Sequence, residues 1–546
     1  MIKKIILIWN TIRFLKPVQI YWRFWLRFYK PQPNLSPAPR SRELSRPLVP
    51  ILQKSPSLEL PNQFTFLNET HCLNTASDWN NPEWEKLWLY NLHYFDDLNA
   101  IDSKYKVSAH RQLINKWIAD NKPVVGNGWE PYPASLRIVN WIKWALQGNQ
   151  LDEHWIDSLA VQVRHLRNRL EYHLLGNHLF ANAKALVFAG LYFEGKEANE
   201  WLNKGLEILD TELPEQILDD GGHFELSPMY HCIILEDILD LINLSRSYHN
   251  VIDKGVLGYW EDLVKKMLAW LDSMTHPDGQ IALFNDAAFG IAASPGELVE
   301  YAKRLDIEPA SASCVSKLLP SSGYARLENT DAVLLADVGR IGPEYLPGHA
   351  HADTLTFELS LLGQRVIVDS GTSCYGYSNE RLRQRSTSAH NTVEVDGQNS
   401  SEVWGGFRVA RRAFTHSIIL NNQDNAVELS ASHDGYLRLQ KGILHYRTWR
   451  LEDKSVYIED KVTGEFDKAI GRLLFAPDIG IESIDDSAKW LLTREGDVIA
   501  EVLVDSPHAE IVKSSYHPEF GRSLATNCLT YTVYEGNSTV VRLAWR

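Results

Sequence analysis

Residues 347–395 read PGHAHADTLTFELSLLGQRVIVDSGTSCYGYSNERLRQRSTSAHNTVEV, and their period decides the fold. TLTFELSL, QRVIVDS and NTVEV carry apolar residues at two-residue spacing, the mark of strands. The same period begins near Lys317 with GYARLE and AVLLADVG and runs through SVYIEDKVTG to TVVRLAWR at the end of the sequence. With no long helical stretch between these segments, residues 313–546 are expected to form an antiparallel β-sandwich with polar turns. Upstream, from about Gln63 to Ala312, the spacing changes to three and four. PEWEKLWLYNLHYFDDLNA, ASLRIVNWIKWALQ and EHWIDSLAVQVRHLRNRLEYHLL are representative. Gly- and Pro-bearing loops such as NGWEPYP and LDDGGHF divide the helices. The fold class is therefore α+β and multidomain, with a helical unit at 63–312 followed by the β unit.

Polar residues in the opening stretch are spaced for chemistry. His349 and His351 lie two apart, so an extended backbone projects both imidazoles to one face. Asp369 follows VIV eighteen residues after His351, and His390 comes twenty-one residues later. Two imidazoles and a carboxylate from neighbouring strands suit zinc with three protein ligands and one open position. The plain alternative is separate polar residues at strand ends, each bonded to backbone.

A chain of 546 residues is too long for one compact core. Its 18 Trp and 22 Tyr suit either a cleft for a ring-bearing ligand such as a sugar or an unusually aromatic helical core. A net charge of −14 excludes a protein that binds nucleic acid through its overall field. The charge is unevenly spread: residues 1–50 hold ten Lys and Arg against the single acid Glu43, a local +9 that leaves −23 for the rest. A polyanionic substrate therefore needs a local basic cleft. The five cysteines (Cys72, Cys232, Cys314, Cys374 and Cys528) are odd in number, widely spaced and free of any CxxC pair. That argues against a disulfide framework or thiolate zinc and for a reducing compartment.

The first thirty residues, MIKKIILIWNTIRFLKPVQIYWRFWLRFYK, start like a signal peptide, but Asn10 and Arg13 interrupt the apolar run and no small-residue cleavage site follows. The run is also too broken to span a bilayer. Two readings remain: a basic aromatic segment lying on a membrane surface, or one whose aromatic face packs on the first domain. Residues 31–62, rich in Pro, Ser and Arg, read as a surface linker that closes an N-terminal unit of 1–62. A cytoplasmic or membrane-peripheral location is favoured, with the periplasm left open.

Three loops of the helical half stand out. GNHLFANA places Asn177 and His178 at the start of a helix, where free N–H groups favour negative charge and where Asn is also a good cap. In DGGHFELSPMYH, Ser227 and Pro228 fit a helix start, while Tyr230 and His231 have no such explanation beyond a buried tyrosine finding a partner. GWEPYPASLRIVNW brings together Trp129, Tyr132 and Arg137, suited to a sugar ring and its carboxylate or sulfate, or to core aromatics with one surface arginine. His223, Glu225, Arg385 and Trp404 complete the candidate substrate contacts. HPDGQIALFNDA is assigned cleft lining only, and the arginines at 381, 383 and 385 suit either acidic sugars or local carboxylates on an edge strand.

Taken in order, LWLYNLHYFDDL, GWEPYPASLRIVNW, GNH, DGGHFELSPMYH, PGHAHAD, VIVDSGT and SAHNTV resemble the heparinase II/III-type family of polysaccharide lyases, over roughly residues 63 to 410. The resemblance implies an incomplete α/α toroid followed by the β-sandwich, an active site between them, and eliminative cleavage of a uronic-acid-containing polysaccharide. It places Asn177 and His178 on the family's Asn/His position, Tyr230 on its catalytic tyrosine and His349 on its β-domain histidine. His351, Asp369 and His390 fall on structural zinc ligands known in part of the family. Leu226 departs from the arginine many relatives carry there, and the substrate stays open among heparin-like chains, alginate and other acidic glycans.

Elimination removes the C5 proton of a uronate whose carboxylate must first be neutralised. Asn177, with His178 if protonated, can supply those donors. Tyr230 can act as base or acid if nearby cations lower its pKa, with His178 or His349 as the alternative base. Zinc would be structural, locking the strands that present His349. Two other readings compete: a glycoside hydrolase using Asp220 and Glu225, and a non-catalytic acidic-glycan-binding or surface-polysaccharide assembly protein.

Overall fold

The computed structural model describes residues 2–308, 316–423, 425–439, 442–484 and 488–546. The expected boundary at 312/313 and Cys314 fall outside these residues; the other four cysteines are free. Helices fill the N-terminal half. They are α1 (Ile2–Ile12), α2 (Pro17–Phe28), α3 (Lys86–Tyr94), α4 (Val107–Asp120), α5 (Pro131–Leu146), α6 (Glu153–Arg167), α7 (Gly176–Tyr192), α8 (Lys196–Gln216), α9 (Pro228–Ser247), α10 (Lys254–Ser273) and α11 (Pro295–Arg304). The sequence GNHLFANAKALVFAGLY of α7 is apolar on nearly every side, and a helix without a polar face belongs in the middle of a bundle. Almost all of α7 is buried. It touches α5 and α9 as inner neighbours and α8 as its outer partner, while α3 continues the inner row beyond α5. Alternation of inner and outer helices gives the toroid, with the starts of the inner helices α7 and α9 at one end.

One expected helical stretch is not helical. Leu58–Glu59, Gln63–Phe66 and Glu69–Cys72 form a small antiparallel sheet, and the first α-helix after them begins only at Lys86. Leu67 and Asn68, both at positive φ (56° and 60°), make the two-residue turn that closes a hairpin. The surface linker preceding it is strapped down: Arg42 bonds the carbonyls of Leu191 and Phe193, and Lys54 pairs with Glu236 at 2.7 Å.

After residue 316 every paired strand is antiparallel. An eight-stranded sheet runs in the order Thr415–Gln423, Ala426–His433, Leu444–Glu452, Ser455–Thr463, Ser538–Ala544, Asp497–Val504, Lys489–Arg494, Gly480–Ser483. A five-stranded sheet (residues 317–367) and a four-stranded sheet (Ala509–Tyr516, Leu524–Val533, Ala469–Leu474, Val393–Val395) join at an Ile367–Phe475 bridge and make the opposing layer. Burial alternates along Leu444–Glu452, and Trp449 meets Phe357 from across the sandwich. The arginine run lies on a helix, not an edge strand. Ser378 caps α12 (Asn379–Gln384) by accepting from the Arg381 backbone N–H, which starts a helical turn.

The apolar core is continuous from Leu52 in the helical half to Trp545 in the sandwich. Polar clamps fix the seam: Asp220 accepts from the backbone of Ser321 and Ser322, and the Tyr324 hydroxyl bonds the Leu226 carbonyl at 2.5 Å. No helix among the described residues is long and apolar enough to cross a membrane.

The close approach of α7 and α8 makes a prediction. A Cβ at Gly190 would stand 2.6 Å and 2.7 Å from backbone atoms of Leu202. Gly190→Ala gains about 1 kcal/mol of helix propensity, but the overpacking term of about 1–3 kcal/mol acts against rigid backbone and wins. Chemical denaturation should show a lower midpoint for the variant; a higher one would contradict the packing described.

Candidate active site

The site is built where helix starts from one half meet a loop of the other. Leu175 (φ 67°) and Gly176 (φ 56°) turn the chain into α7, and a Cβ on Gly176 would meet Glu225 Oε1 at 2.5 Å. Only glycine lets this carboxylate reach the helix start. Glu225 Oε1 accepts from the Asn177 backbone N–H at 2.9 Å, and both Glu225 oxygens lie 3.1 Å from Asn177 Nδ2. An anion at a helix N-terminus is favoured by the unpaired N–H groups there. Two residues after Glu225, Ser227 caps α9 by accepting from the Tyr230 N–H, and Pro228 opens the helix. Tyr230 is thereby fixed in the first turn.

His349 enters from the β half. Its ring centroid lies 4.0 Å from that of Tyr230, and its Nε2 stands 3.4 Å from Asn177 Nδ2 and 3.3 Å from Glu225 Oε2. On the other side His349 Nδ1 meets Asp286 Oδ2 at 2.9 Å, while His351 Nε2 meets Asp286 Oδ1 at 2.8 Å. The two histidines come from an irregular loop, not a strand, and share one carboxylate instead of a sheet face. Arg381 grips that carboxylate with both terminal nitrogens. Burial opposes ionisation of Asp286, but the Arg381 charge together with the hydrogen bonds from His349 and His351 outweighs it and holds the carboxyl well below its ordinary range.

The Tyr230 hydroxyl lies 3.1 Å from that of Tyr375. Sequence reasoning expected cations to lower the Tyr230 pKa. Burial instead pushes it well above the ordinary value, with Tyr375 next among the causes. Arg381, which sits over the Tyr375 ring at 4.9 Å, is paired with Asp286. Tyr230 is a phenol in this site, a proton donor. His178 is shifted toward its protonated form. Burial pulls the imidazole pKa down, but Glu171 at 3.2 Å from Nδ1 more than reverses this and the net shift is upward. Glu171 is held in turn by Asn182, and the His178 ring faces Tyr132 at 4.5 Å.

A second constellation lies just behind. One ligand atom each from His351, Asp353 and His390 fall within 4.8 Å of one another, all three residues buried. His351 Nδ1, Asp353 Oδ2 and His390 Nε2 have no hydrogen-bond partner among the described residues. Leaving three such atoms unpaired costs about 1–3 kcal/mol each, so this donor set fits a divalent cation that accepts nitrogen and oxygen. The membership differs from the sequence expectation. Asp369 stands outside the trio, its carboxylate occupied by His390 Nδ1 at 2.9 Å and by Thr356. Asp353, two residues after His351 in HAHAD, stands in its place, with its pKa raised to about 6 by burial.

Several residues named from sequence do not reach the cleft. Arg137 is wholly buried, its guanidinium bonded to Gln162 and to the carbonyls of His93 and Gly128 and stacked over Trp117. Trp129 is buried against Trp117 and His165. His223 is buried on Gln216, and Arg385 binds the carbonyls of Ala350 and Gly405. Trp404 donates to Thr11 of α1. Burial of Trp129, Arg137, His223 and Arg385 leaves no group for a sugar, and the half-buried Trp404 is engaged by α1. Asp286, Glu171, Tyr375 and Asp353 escaped sequence reasoning, because an acid or tyrosine in a loop carries no local sign of its distant partner; only the HAHAD spacing could have flagged Asp353.

Comparison with known proteins agrees with this layout. The heparinase II/III N-terminus model matches residues 75–302 and the heparinase II/III-like C-terminal model matches 314–542. A heparin-sulfate lyase of Bacteroides stercoris is 29% identical over 255 residues, 42% of this chain and 37% of the relative. One of Bacteroides thetaiotaomicron is 24% identical over 371 residues, 59% of this chain and 52% of the relative. The chain thus spans about half or less of the length of these curated relatives. A solved heparinase III aligns over 83% of this chain and 76% of its own, with a TM-score of 0.66 at 18% identity. The heparan sulfate lyase HepC of Pedobacter heparinus aligns over 97% and 87%, at 0.56 and 16%. These likenesses establish a shared toroid-and-sandwich fold.

The His178–Glu171 pair is testable directly. Because the folded pKa of His178 is raised, the pair contributes its full stability below the unfolded value and loses it as pH rises through the folded one. NMR titration of the His178 ring should give a pKa above 6.5, and Glu171→Gln should bring it below that of the parent. An unchanged value would sink the assignment.

Proposed function

The chain belongs to the heparinase II/III family, and from that premise we propose that it is a lyase cleaving a uronic-acid-containing polysaccharide by β-elimination. The observation that carries this reading is the confrontation of Tyr230 and His349 at 4.0 Å, with the Asn177 amide beside them. Asn177, with His178 in its protonated form, receives the uronate carboxylate and stabilises the enolate-like charge that develops on it. His349, oriented through Nδ1 by Asp286, takes the C5 proton at Nε2. The C4–O4 bond breaks as the C4–C5 double bond forms, and the Tyr230 phenol gives its proton to the departing oxygen. Tyr375 orients that phenol through the hydroxyl contact. The heparin-sulfate lyase relatives support a glycosaminoglycan of heparan type as the substrate class.

Zinc fits the trio of His351, Asp353 and His390, where it would neutralise the carboxylate and tie the loop carrying His349 to the segment carrying His390. Asp286 on His351 and Asp369 on His390 would orient the imidazoles from behind. The hydrolase reading loses a member, since Asp220 is engaged in clamping Ser321 and Ser322 at the seam.

On heparan-type chains the wild type should release products absorbing in the near ultraviolet, and Tyr230→Phe should lower turnover about 10²–10⁴-fold while retaining substrate binding. Reducing ends without that absorbance would favour hydrolysis; unchanged function in Tyr230→Phe would favour a binding protein. Metal analysis of the purified chain should find zinc that is lost in Asp353→Asn and His390→Ala and bound about 10–100-fold more weakly in Asp369→Asn. Full zinc retention in Asp353→Asn would return the ligand role to Asp369.

A further inference from the structure

The first thirty residues form two helices that cover the body on one side and leave large apolar side chains open on the other. On α2 the inner side is anchored. Gln19 donates to the carbonyls of Leu174 and Tyr345, Trp22 stacks on Tyr172 with centroids 5.2 Å apart, and Arg169 bonds the Tyr29 carbonyl at 2.9 Å. On α1, Thr11 contacts Trp404 and Val409, and just beyond its end Phe14 lies under Arg412. The hairpin therefore grips both halves of the molecule and cannot turn its other face inward.

That other face is apolar at helical spacing. Ile20, Tyr21, Phe24, Trp25 and Phe28 recur at the i, i+1, i+4, i+5, i+8 positions of one stripe of α2, with Phe24 64% and Phe28 80% exposed. Ile5, Ile8, Trp9 and Ile12 make the corresponding stripe on α1, with Trp9 66% exposed. Lys3, Lys4, Arg13, Arg23, Arg27 and Lys30 border these stripes, and no acid occurs before Glu43.

We infer that this face docks the protein on an anionic phospholipid bilayer, lying in the headgroup plane without spanning it. Indole and phenol rings beside isoleucine, with Lys and Arg interleaved, are the chemistry of an interfacial helix. A protein partner would call for a rim of both signs and fewer lysines. Charge complementarity also orients the approach: residues 1–30 carry seven Lys and Arg and no acid, which favours the bilayer, while the −21 of the remainder is repelled. At 11 and 12 residues the helices are about 16–18 Å long, too short to cross a hydrocarbon core of about 30 Å. Gln19 ties the docked hairpin to Leu174 and Tyr345, the loops that lead into Asn177 and His349. Docking thus leaves the cleft, where the proposed elimination takes place, beside the membrane.

The test is flotation of the full chain with phosphatidylglycerol/phosphatidylcholine vesicles and with pure phosphatidylcholine vesicles. The wild type should float with the first and much less with the second, and added salt should release it. Trp9→Ser/Phe24→Ser/Trp25→Ser should lose roughly tenfold or more of the bound fraction, with thermal stability and glycan turnover unchanged. Lys3→Gln/Lys4→Gln/Arg27→Gln should lose the preference for phosphatidylglycerol. Failure to float, equal binding to both vesicles, or a triple Ser variant that floats like wild type would overturn the inference. So would a dimer that the triple Ser variant converts to monomer, which would assign the face to a second copy. None of these outcomes bears on whether the cleft is a lyase.

Discussion

Asp286 is the residue on which the rest of the site depends. Its carboxylate is wholly buried, and a buried charge persists only where partners replace its lost hydration. Arg381 supplies the opposite charge in a two-pronged grip, and His349 and His351 occupy the remaining directions. The acid belongs to the connection that follows α10, while its three partners belong to the β half. One ion thereby fixes the relation of the two halves and aims Nε2 of His349 at Asn177 and Tyr230. Its backbone takes part as well: the Asp286 N–H donates to the His349 carbonyl, and the Asp286 carbonyl accepts from Ser227, the cap of α9. The helix that carries Tyr230 and the loop that carries His349 are tied to the same residue.

Around this centre the cleft divides its electrostatics. Glu225 sits on the N-terminus of α7 and binds Asn177 through backbone and side chain, so the amide is preorganised rather than recruited by substrate. His178 pairs with Glu171, which favours its protonated form. Tyr230 and Tyr375 are kept as phenols by burial, which suits proton donation and disfavours a resident phenolate. A molecule with net charge −14 meets a polyanion through this local arrangement, not through its overall field.

The sandwich contributes more than a floor. Arg447 and Asp460 face each other on adjacent strands as a buried pair, completed by His445 and the Tyr531 hydroxyl. From there Arg447 reaches the carbonyls of Leu355 and Asn391, which flank the segments bearing Asp353 and His390. Removing one member of such a pair leaves the other charge buried, a cost of about 3–5 kcal/mol. The core of the sandwich and the irregular loops of the site are thus one mechanical unit.

Period and punctuation in the sequence were enough to decide the order of helices and strands, because backbone pairing and amphipathic burial act over a few residues. Strands such as TLTFELSL and helix starts such as Ser227-Pro228 were legible on that ground, and so was the interest of Tyr230, which the helix start does not explain; Asn177 and His349 also fitted a cap and a strand end, and the resemblance singled them out. Tertiary structure decided what distance along the chain conceals. Arg137 and Arg385 have the chemistry of anion binders, yet backbone carbonyls take their guanidinium groups inside the protein. Asp286 looks like any loop aspartate until Arg381, 95 residues away, meets it. Asp353 and Asp369 are equal candidates on paper. Only the fold turns one toward the paired imidazoles and sets the other behind His390, because which oxygen faces which nitrogen depends on how loops pack, and no short-range rule contains that.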